Sequence, residues 1–191
     1  MSVTQSNGPA VLKFSPSTTP SPLDPVDAND FYQALGIALV AWGRLEGHFT
    51  LMLLNLMRIA GAAAVTHQLP NSMAERARLW KIAVGACADL VGVHDVAIWW
   101  VNDLMVVAER RNTVVHAIWG SFVPSPTLAI EALSIRHKKK TPDGLEVTRQ
   151  HVTIATLQEI ATQANRLNIS LLNFSGSLES LYPTPPDAQN V

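Results

Sequence analysis

Apolar positions three or four residues apart divide most of the chain into four amphipathic helical segments. Asp27 or Asn29 caps the first segment, and Asn71 or Ser72 caps the second. Pro124 and Pro126 follow the third segment and prevent it from continuing. The pattern therefore predicts helices over about 28–60, 72–90, 95–119 and 154–181.

A different pattern separates the third and fourth predicted helices. Residues 127–152 are rich in β-branched side chains, alternate partly between apolar and polar, and contain "TPDG" at their centre, which predicts a β-hairpin. We therefore expect a mainly α protein, a mostly antiparallel four-helix bundle with a β-hairpin inserted between helices 3 and 4. Residues 26–182 form its single domain, between a disordered Ser/Thr/Pro-rich arm at 1–25 and a disordered tail at 183–191.

Composition narrows the class of protein. Hydrophobic residues make up 48% of the 191 residues, enough for a large core, and a net charge of −1 argues against nucleic-acid binding through overall charge. The single cysteine, Cys87, allows no internal disulfide and favours a reducing compartment. Neither a signal peptide nor an uninterrupted apolar run of roughly 18 residues stands out, so we expect a cytoplasmic protein without a membrane association.

The third predicted helix carries an arginine where an apolar residue is expected. Arg111 falls within the apolar arc of the helix, while Asn112 and His116 lie four residues apart on a neighbouring polar stripe. An unpaired buried charge costs several kcal/mol, and Glu46 is misplaced in the same way on the first helix. We therefore predict a bidentate Glu46–Arg111 pair. This pair has a purely structural interpretation, a brace between helices with His116 capping or packing near the helix end.

The stretch Arg111-Asn112-Thr113-Val114-Val115-His116 resembles the catalytic motif of the HEPN superfamily. "AWGRLEGHF" (41–49) is similar to the first helix of small bacterial HEPN-like proteins, and the resemblance covers about 28–122 and the last helix. It implies a helical bundle, often a homodimer, and metal-independent ribonuclease activity in toxin–antitoxin, abortive-infection or other defence systems. Arg111 and His116 match the catalytic pair, Asn112 matches its polar neighbour, and Glu46 is the weaker transfer. Many HEPN proteins are instead non-catalytic dimerisation or interaction modules, and that alternative stays open.

Histidine suits proton transfer in RNA cleavage and arginine stabilises charge on phosphate oxygens. Because one histidine is too few for both base and acid, we expect a homodimer that brings two third helices together. The products would be a 2′,3′-cyclic phosphate and a 5′-hydroxyl, and a cognate antitoxin is a further expected partner.

Basic residues of the predicted hairpin are the candidate RNA contacts. Over 136–149 they exceed Asp143 and Glu146 by three charges, although lysines near a turn are also ordinary solvated residues. The six histidines are scattered without paired ligand spacings, so we expect no metal and no cofactor. The candidate RNA-binding residues are Arg136, Lys138, Lys139, Lys140 and Arg149.

Overall fold

The computed structural model describes residues 25–59, 68–123, 129–137 and 145–183. These form four α-helices and three β-strands, so the prediction of a mainly α protein is confirmed. A 3₁₀ helix at Ala88–Val93 leads into the third α-helix. The predicted arm at 1–25, except for Pro25, and all but the first residue of the predicted tail lie outside the described residues. The elements are α1 (Pro25–Arg58), α2 (Met73–Ala86), α3 (His94–Val115), β1 (Ile118–Val123), β2 (Ala129–His137), β3 (Leu145–Thr153) and α4 (Ile154–Leu181).

Side-chain caps begin α2 and α4. The Oγ of Ser72 accepts a hydrogen bond from the backbone N–H of Glu75 at 3.2 Å, and Glu75 also places an acidic side chain in the first turn. Thr153 Oγ1 accepts from the N–H of Thr156 at 3.1 Å. Each cap satisfies a backbone donor that the helix itself leaves unpaired. The sequence pattern therefore predicted both starts to within a residue or two.

The predicted β-hairpin between α3 and α4 is confirmed, but it belongs to a three-stranded antiparallel sheet whose first strand was not predicted. β2 and β3 form that hairpin, but β1 adds a strand on the other side of β2, with Ile118 opposite Leu133. The third helix ends at Val115 and not near Trp119 as predicted, because Ile118 and Trp119 suit a strand as well as a helix. Pro124 and Pro126 therefore follow a strand.

Gly120 lies at an irregularity in the pairing of β1 with β2. The register is irregular between Trp119 and Phe122, and a Cβ added at Gly120 would lie 3.2 to 3.3 Å from atoms of Glu131. A side chain there would be tighter against Glu131 than ordinary packing allows. Glycine thus lets the strand pair despite its irregularity.

The helix directions also differ from the prediction of a mostly antiparallel bundle. α3 runs opposite to α1, α2 and α4, which makes those three helices parallel to one another. Long connections permit this, because residues 59–72 separate α1 from α2 and the sheet separates α3 from α4. The direction of α3 relative to α4 follows from the contacts Asp103–Arg166 and Arg110–Glu159. That of α1 relative to α3 follows from Trp42–Arg111 and Phe49–Trp100. That of α1 relative to α2 follows from Glu46–Arg76 and Phe49–Trp80.

An aromatic cluster joins all four helices at the centre of the core. Phe49, Trp80, Trp100 and Phe174 come from α1, α2, α3 and α4, and the neighbouring ring centroids lie 5.4 to 5.6 Å apart. The two buried indole N–H groups donate to backbone carbonyls, that of Trp80 to Ala97 and that of Trp100 to Leu167, each at 3.0 Å. The rings therefore pack without leaving a buried donor unpaired.

Two segments, Asn29–Arg58 and Ala88–Val115, are long and apolar enough to cross a membrane by length and composition. The core helices of a soluble protein meet the same criterion, and 39% and 33% of the two most apolar windows is buried inside the protein. Both segments also take part in ion pairs with other helices, Glu46 with Arg76 and Asp103 with Arg166. The two segments therefore combine an apolar composition with charged side chains that are paired to other helices.

Tyr182 connects the end of α4 to the 3₁₀ helix through a hydrogen bond. Its hydroxyl donates to Asp89 Oδ2 at 2.7 Å, and this hydrogen bond to a carboxylate raises the pKa of Tyr182 to about 12. Because the folded pKa lies above the ordinary value of 10.0, the contribution of the contact to stability is complete below pH 10 and lost as the pH rises through about 12. A Tyr32→Phe variant leaves Tyr182 as the sole tyrosine, and we expect its absorbance titration to have a midpoint near 12. A midpoint near 10, unchanged by Asp89→Asn, would show that the contact does not form in solution.

Candidate functional site

The predicted catalytic residues lie in the last turns of α3. Arg111 is half-buried, whereas Asn112 and His116 are exposed. Arg111 Nη1 donates to Asn112 Oδ1 at 3.1 Å, and the backbone N–H of His116, the residue that caps α3, donates to the carbonyl of Asn112 at 2.9 Å. Asn112 therefore contacts both members of the predicted pair.

The Arg111 guanidinium packs on an aromatic ring of α1. Its Cζ lies 5.9 Å from the ring centroid of Trp42, within the range of a cation–π interaction. Its Nε is inaccessible to solvent and donates no hydrogen bond. Within the part of the chain that the structure describes, no carboxylate pairs with this guanidinium. The positive charge of Arg111 is therefore held in place without being neutralised.

The predicted Glu46–Arg111 pair is wrong within one chain. Glu46 Oε2 accepts a hydrogen bond from Trp42 Nε1 at 2.9 Å, and Glu46 Oε1 lies 3.6 Å from Arg76 Nη1. Trp42 stands one turn before Glu46, so its indole takes both contacts, the carboxylate through its N–H and Arg111 through its ring. Glu46, the acidic partner expected for Arg111, is thus paired with Arg76 of α2.

Arg76 is the residue that the sequence analysis overlooked. Its Nε donates to the carbonyl of Pro70 at 2.8 Å, and its Nη1 donates to Thr50 Oγ1 at 3.1 Å, while Thr50 Oγ1 donates to the carbonyl of Glu46 at 2.8 Å. The helical pattern of α2 contains the signal, because Arg76 is four residues before the buried Trp80 and so lies on the buried face. The same wheel analysis, applied to α2, would have placed Arg76 toward α1.

We expect Arg76→Gln to lower the free energy of unfolding by about 1–3 kcal/mol, because it removes hydrogen bonds from partly buried acceptors. Arg78→Gln is the matched control, since Arg78 is exposed on the same helix, and we expect it to change stability by less than about 0.5 kcal/mol. Urea denaturation followed by circular dichroism measures both values. Equal effects of the two substitutions would contradict the role of the Arg76 contacts.

The candidate RNA-binding residues are only partly located. Arg149 is exposed on β3, and its Nη1 lies 3.6 Å from Glu131 Oε1 on β2. Arg136 lies on β2, but only its backbone is described, and Lys138, Lys139 and Lys140 lie outside the described residues. The register places Arg149 and His151 on the face of the sheet opposite to the buried Ile130 and Ala132. That exposed face therefore presents at least one cationic side chain, Arg149, to solvent.

The described region around Arg111 contains few acidic or metal-binding side chains. Across the ranges given above, His, Cys, Asp and Glu side chains form no group of three that could hold a metal ion. His48 is instead hydrogen-bonded between α1 and α4, where its Nδ1 lies 2.7 Å from Asn168 Oδ1. The chemistry available around Arg111 is that of a guanidinium, an amide and an exposed imidazole.

Comparison with family models, curated proteins and solved structures gives no match for this chain. The resemblance to HEPN proteins accordingly stands on the Arg111–His116 motif and the "AWGRLEGHF" stretch, and it stays a prediction. The class that the fold defines is a mainly α protein with four helices and a small antiparallel sheet.

Proposed function

We propose that the protein is a metal-independent endoribonuclease of the HEPN type, with Arg111 and His116 as its catalytic pair. The observation that carries the proposal is the state of Arg111, a half-buried guanidinium without a carboxylate partner in the described residues, at the same end of α3 as the exposed His116. A structural brace would be expected to pair this charge with an acid. An unneutralised guanidinium is suited to binding phosphate oxygens.

The reaction uses the ribose 2′-hydroxyl as nucleophile. A neutral His116 takes the 2′-hydroxyl proton as the 2′-oxygen forms a bond to phosphorus, and Arg111 stabilises the negative charge that develops on the non-bridging oxygens. The bond from phosphorus to the 5′-oxygen breaks, and a protonated His116 from a second copy donates a proton to that oxygen. The products are a 2′,3′-cyclic phosphate and a 5′-hydroxyl, with no net change in protons.

The need for a second histidine makes a homodimer part of this proposal. Ile118 and Trp119 lie two and three residues after His116, and they are 49% and 36% exposed. Large apolar side chains exposed beside a catalytic group are typical of a subunit interface. A symmetric contact at this end of α3 would bring two Arg111 and two His116 side chains to one cleft.

The proposed substrate, partner and biological role rest on the resemblance to HEPN proteins. RNA is the substrate, Arg149 and the other basic residues of the β2–β3 hairpin are its additional contacts, and the protein acts in the cytoplasm as a toxin or defence component controlled by a protein antitoxin. Asn112 also lines a groove between α2 and α3 together with Ser72 and Met105, which could receive the RNA strand beside the motif.

The test is an RNA cleavage assay with purified protein in an excess of chelator. Wild type is incubated with structured and unstructured RNAs and with the same sequences carrying 2′-deoxy substitutions. We expect cleavage that is insensitive to chelator, absent at 2′-deoxy positions, and that leaves a cyclic phosphate at the 3′ end. Cleavage at 2′-deoxy positions, or none on any RNA, would contradict the proposal.

A second candidate function is a non-catalytic dimerisation or protein-interaction module. The observation that favours it is the packing of Arg111 on Trp42, which uses the guanidinium as part of a helix–helix contact. In that case Arg111→Ala would weaken self-association or folding, measured by sedimentation and urea denaturation, while wild type would cleave no RNA.

A further inference from the structure

A cavity at the opposite end of α3 from His116 has four aromatic side chains among its eleven described lining residues. It lies between the first turns of α3 and the second half of α4, and it includes Trp80, Trp99, Trp100 and Phe174. Along α3, Trp100 and His116 are 16 residues apart, or about 24 Å at the rise of an α-helix. The cavity is therefore separate from the site proposed above and independent of it.

The inner wall of the cavity is apolar. Trp80 and Trp100 are almost completely buried, and their indole N–H groups already donate to the carbonyls of Ala97 and Leu167. Their almost complete burial leaves these two residues little ring surface for a ligand, so the accessible ring surface comes from Trp99 and Phe174. Phe174 continues this wall, with its centroid 5.6 Å from that of Trp80. Such a wall favours contact with another ring, either offset-stacked or edge-to-face.

The mouth of the cavity combines exposed apolar side chains with free polar groups. Trp99 and Val96, one turn apart on α3, are 53% and 64% exposed. On α4, the hydroxyl of Ser170 and the amide of Asn173 lie one turn apart at the edge, and neither side chain bonds to another described residue. These groups can orient a ligand through hydrogen bonds.

Charge and volume define the class of ligand. None of the described side chains that line the cavity is charged, so an anion would lose its hydration without a compensating partner, and a cation would have only ring faces as partners. The cavity volume is about 270 Å³. An apolar cavity of about 150 Å³ is known to hold benzene, so this volume suits a molecule of one or two fused rings.

We propose that this cavity is a binding site for a small, neutral, planar aromatic molecule with one hydrogen-bonding group. The rings of Phe174 and Trp99 contact the ligand, the buried Trp80 and Trp100 close the inner end of the cavity, and Ser170 or Asn173 bonds the ligand's polar atom. The ligand binds away from the Arg111–His116 site, and its binding does not depend on RNA cleavage.

The test titrates the full chain with 5-fluoroindole and follows the ligand by fluorine NMR, which avoids the signal of the protein's own tryptophans. We expect saturable binding of one molecule per chain. Trp99→Ala and Ser170→Leu, both at exposed positions, should each weaken binding about tenfold, the first by removing a ring and the second by filling the mouth. Trp119→Ala is the matched control and should leave the affinity unchanged, because Trp119 lies on the sheet.

Benzyltrimethylammonium and benzoate probe the charge of the ligand, and both should bind about tenfold more weakly than 5-fluoroindole. Binding that does not saturate, equal losses in Trp99→Ala and Trp119→Ala, or a preference for the quaternary ammonium ion would overturn the proposal. Sedimentation of wild type and Trp99→Ala gives the last distinction. Self-association that disappears in Trp99→Ala would assign the mouth to a second copy of the chain and would also overturn it.

Discussion

Replacing His116 by alanine should reduce the rate of RNA cleavage by about 10²- to 10⁴-fold, the usual contribution of a positioned acid or base. The loss should appear in the rate at saturating RNA and not in RNA affinity, because the imidazole acts on protons in the transition state. Stability should change by less than about 0.5 kcal/mol, because His116 is exposed and its hydrogen bond to Asn112 comes from the backbone. Single-turnover cleavage and urea denaturation measure the two quantities.

His151→Ala is the matched control for this experiment, since His151 is also exposed but lies on β3. It should retain cleavage within about twofold of wild type. A large loss in both variants would point to a general effect of removing histidines and not to catalysis by His116. Mixing His116→Ala chains with Arg111→Ala chains gives a further check. A cleft built from one copy of each contains only one Arg111 and one His116, so mixing should not restore a site with two of each residue.

Arg111 has its own comparison on the same helix. Arg111→Ala should lower cleavage by about 10²- to 10³-fold through the loss of charge stabilisation. Arg110→Ala should not, because Arg110 is exposed and pairs with Glu159 of α4 at 2.7 Å. Both variants lose one positive charge, so a difference between them cannot come from overall charge.

Local signals in the sequence account for the parts of the fold that were predicted correctly. α4 begins and ends as predicted because Thr153 offers a cap directly before a long amphipathic repeat. The end of α3 was misplaced because Val115, Ile118 and Trp119 continue the apolar pattern of the helix into β1. Only pairing with β2, through residues some 15 positions later, makes that segment a strand. Such non-local pairing has no signature in a short sequence window.

In the candidate site, too, some features were predicted correctly from the sequence and others were not. The wheel placed Arg111 on the inner side of α3, and its contact with Trp42 agrees with that placement. The partner of Glu46 was wrong because charge alone cannot tell which of two inward-facing arginines is nearer. The choice between Arg76 and Arg111 depends on the direction of α2 relative to α1, which the long connection before α2 leaves open. Directions of packed helices therefore decide ion pairs that a single-helix analysis can only suggest.

The aromatic cluster should carry the largest share of stability that a single substitution can remove. We expect Trp80→Ala to lower the free energy of unfolding by about 3–5 kcal/mol, because the side chain is 1% exposed and its removal leaves a large cavity among three rings. A loss of this size is a large fraction of the stability of an ordinary domain. Urea denaturation followed by far-UV circular dichroism measures it.

Two further substitutions test whether the loss of stability comes from the burial of Trp80 in the aromatic cluster. Trp99→Ala removes an equally large side chain from an exposed position on α3 and should cost less than about 1 kcal/mol. Trp80→Phe keeps a ring in the cluster but loses the hydrogen bond to Ala97, and should fall between the two, at about 1–3 kcal/mol. If Trp80→Ala is too unstable to purify, this intermediate variant still orders the series. Equal losses for Trp80→Ala and Trp99→Ala would contradict a core in which Trp80 joins the helices, because the two substitutions remove the same side chain from a buried and an exposed position.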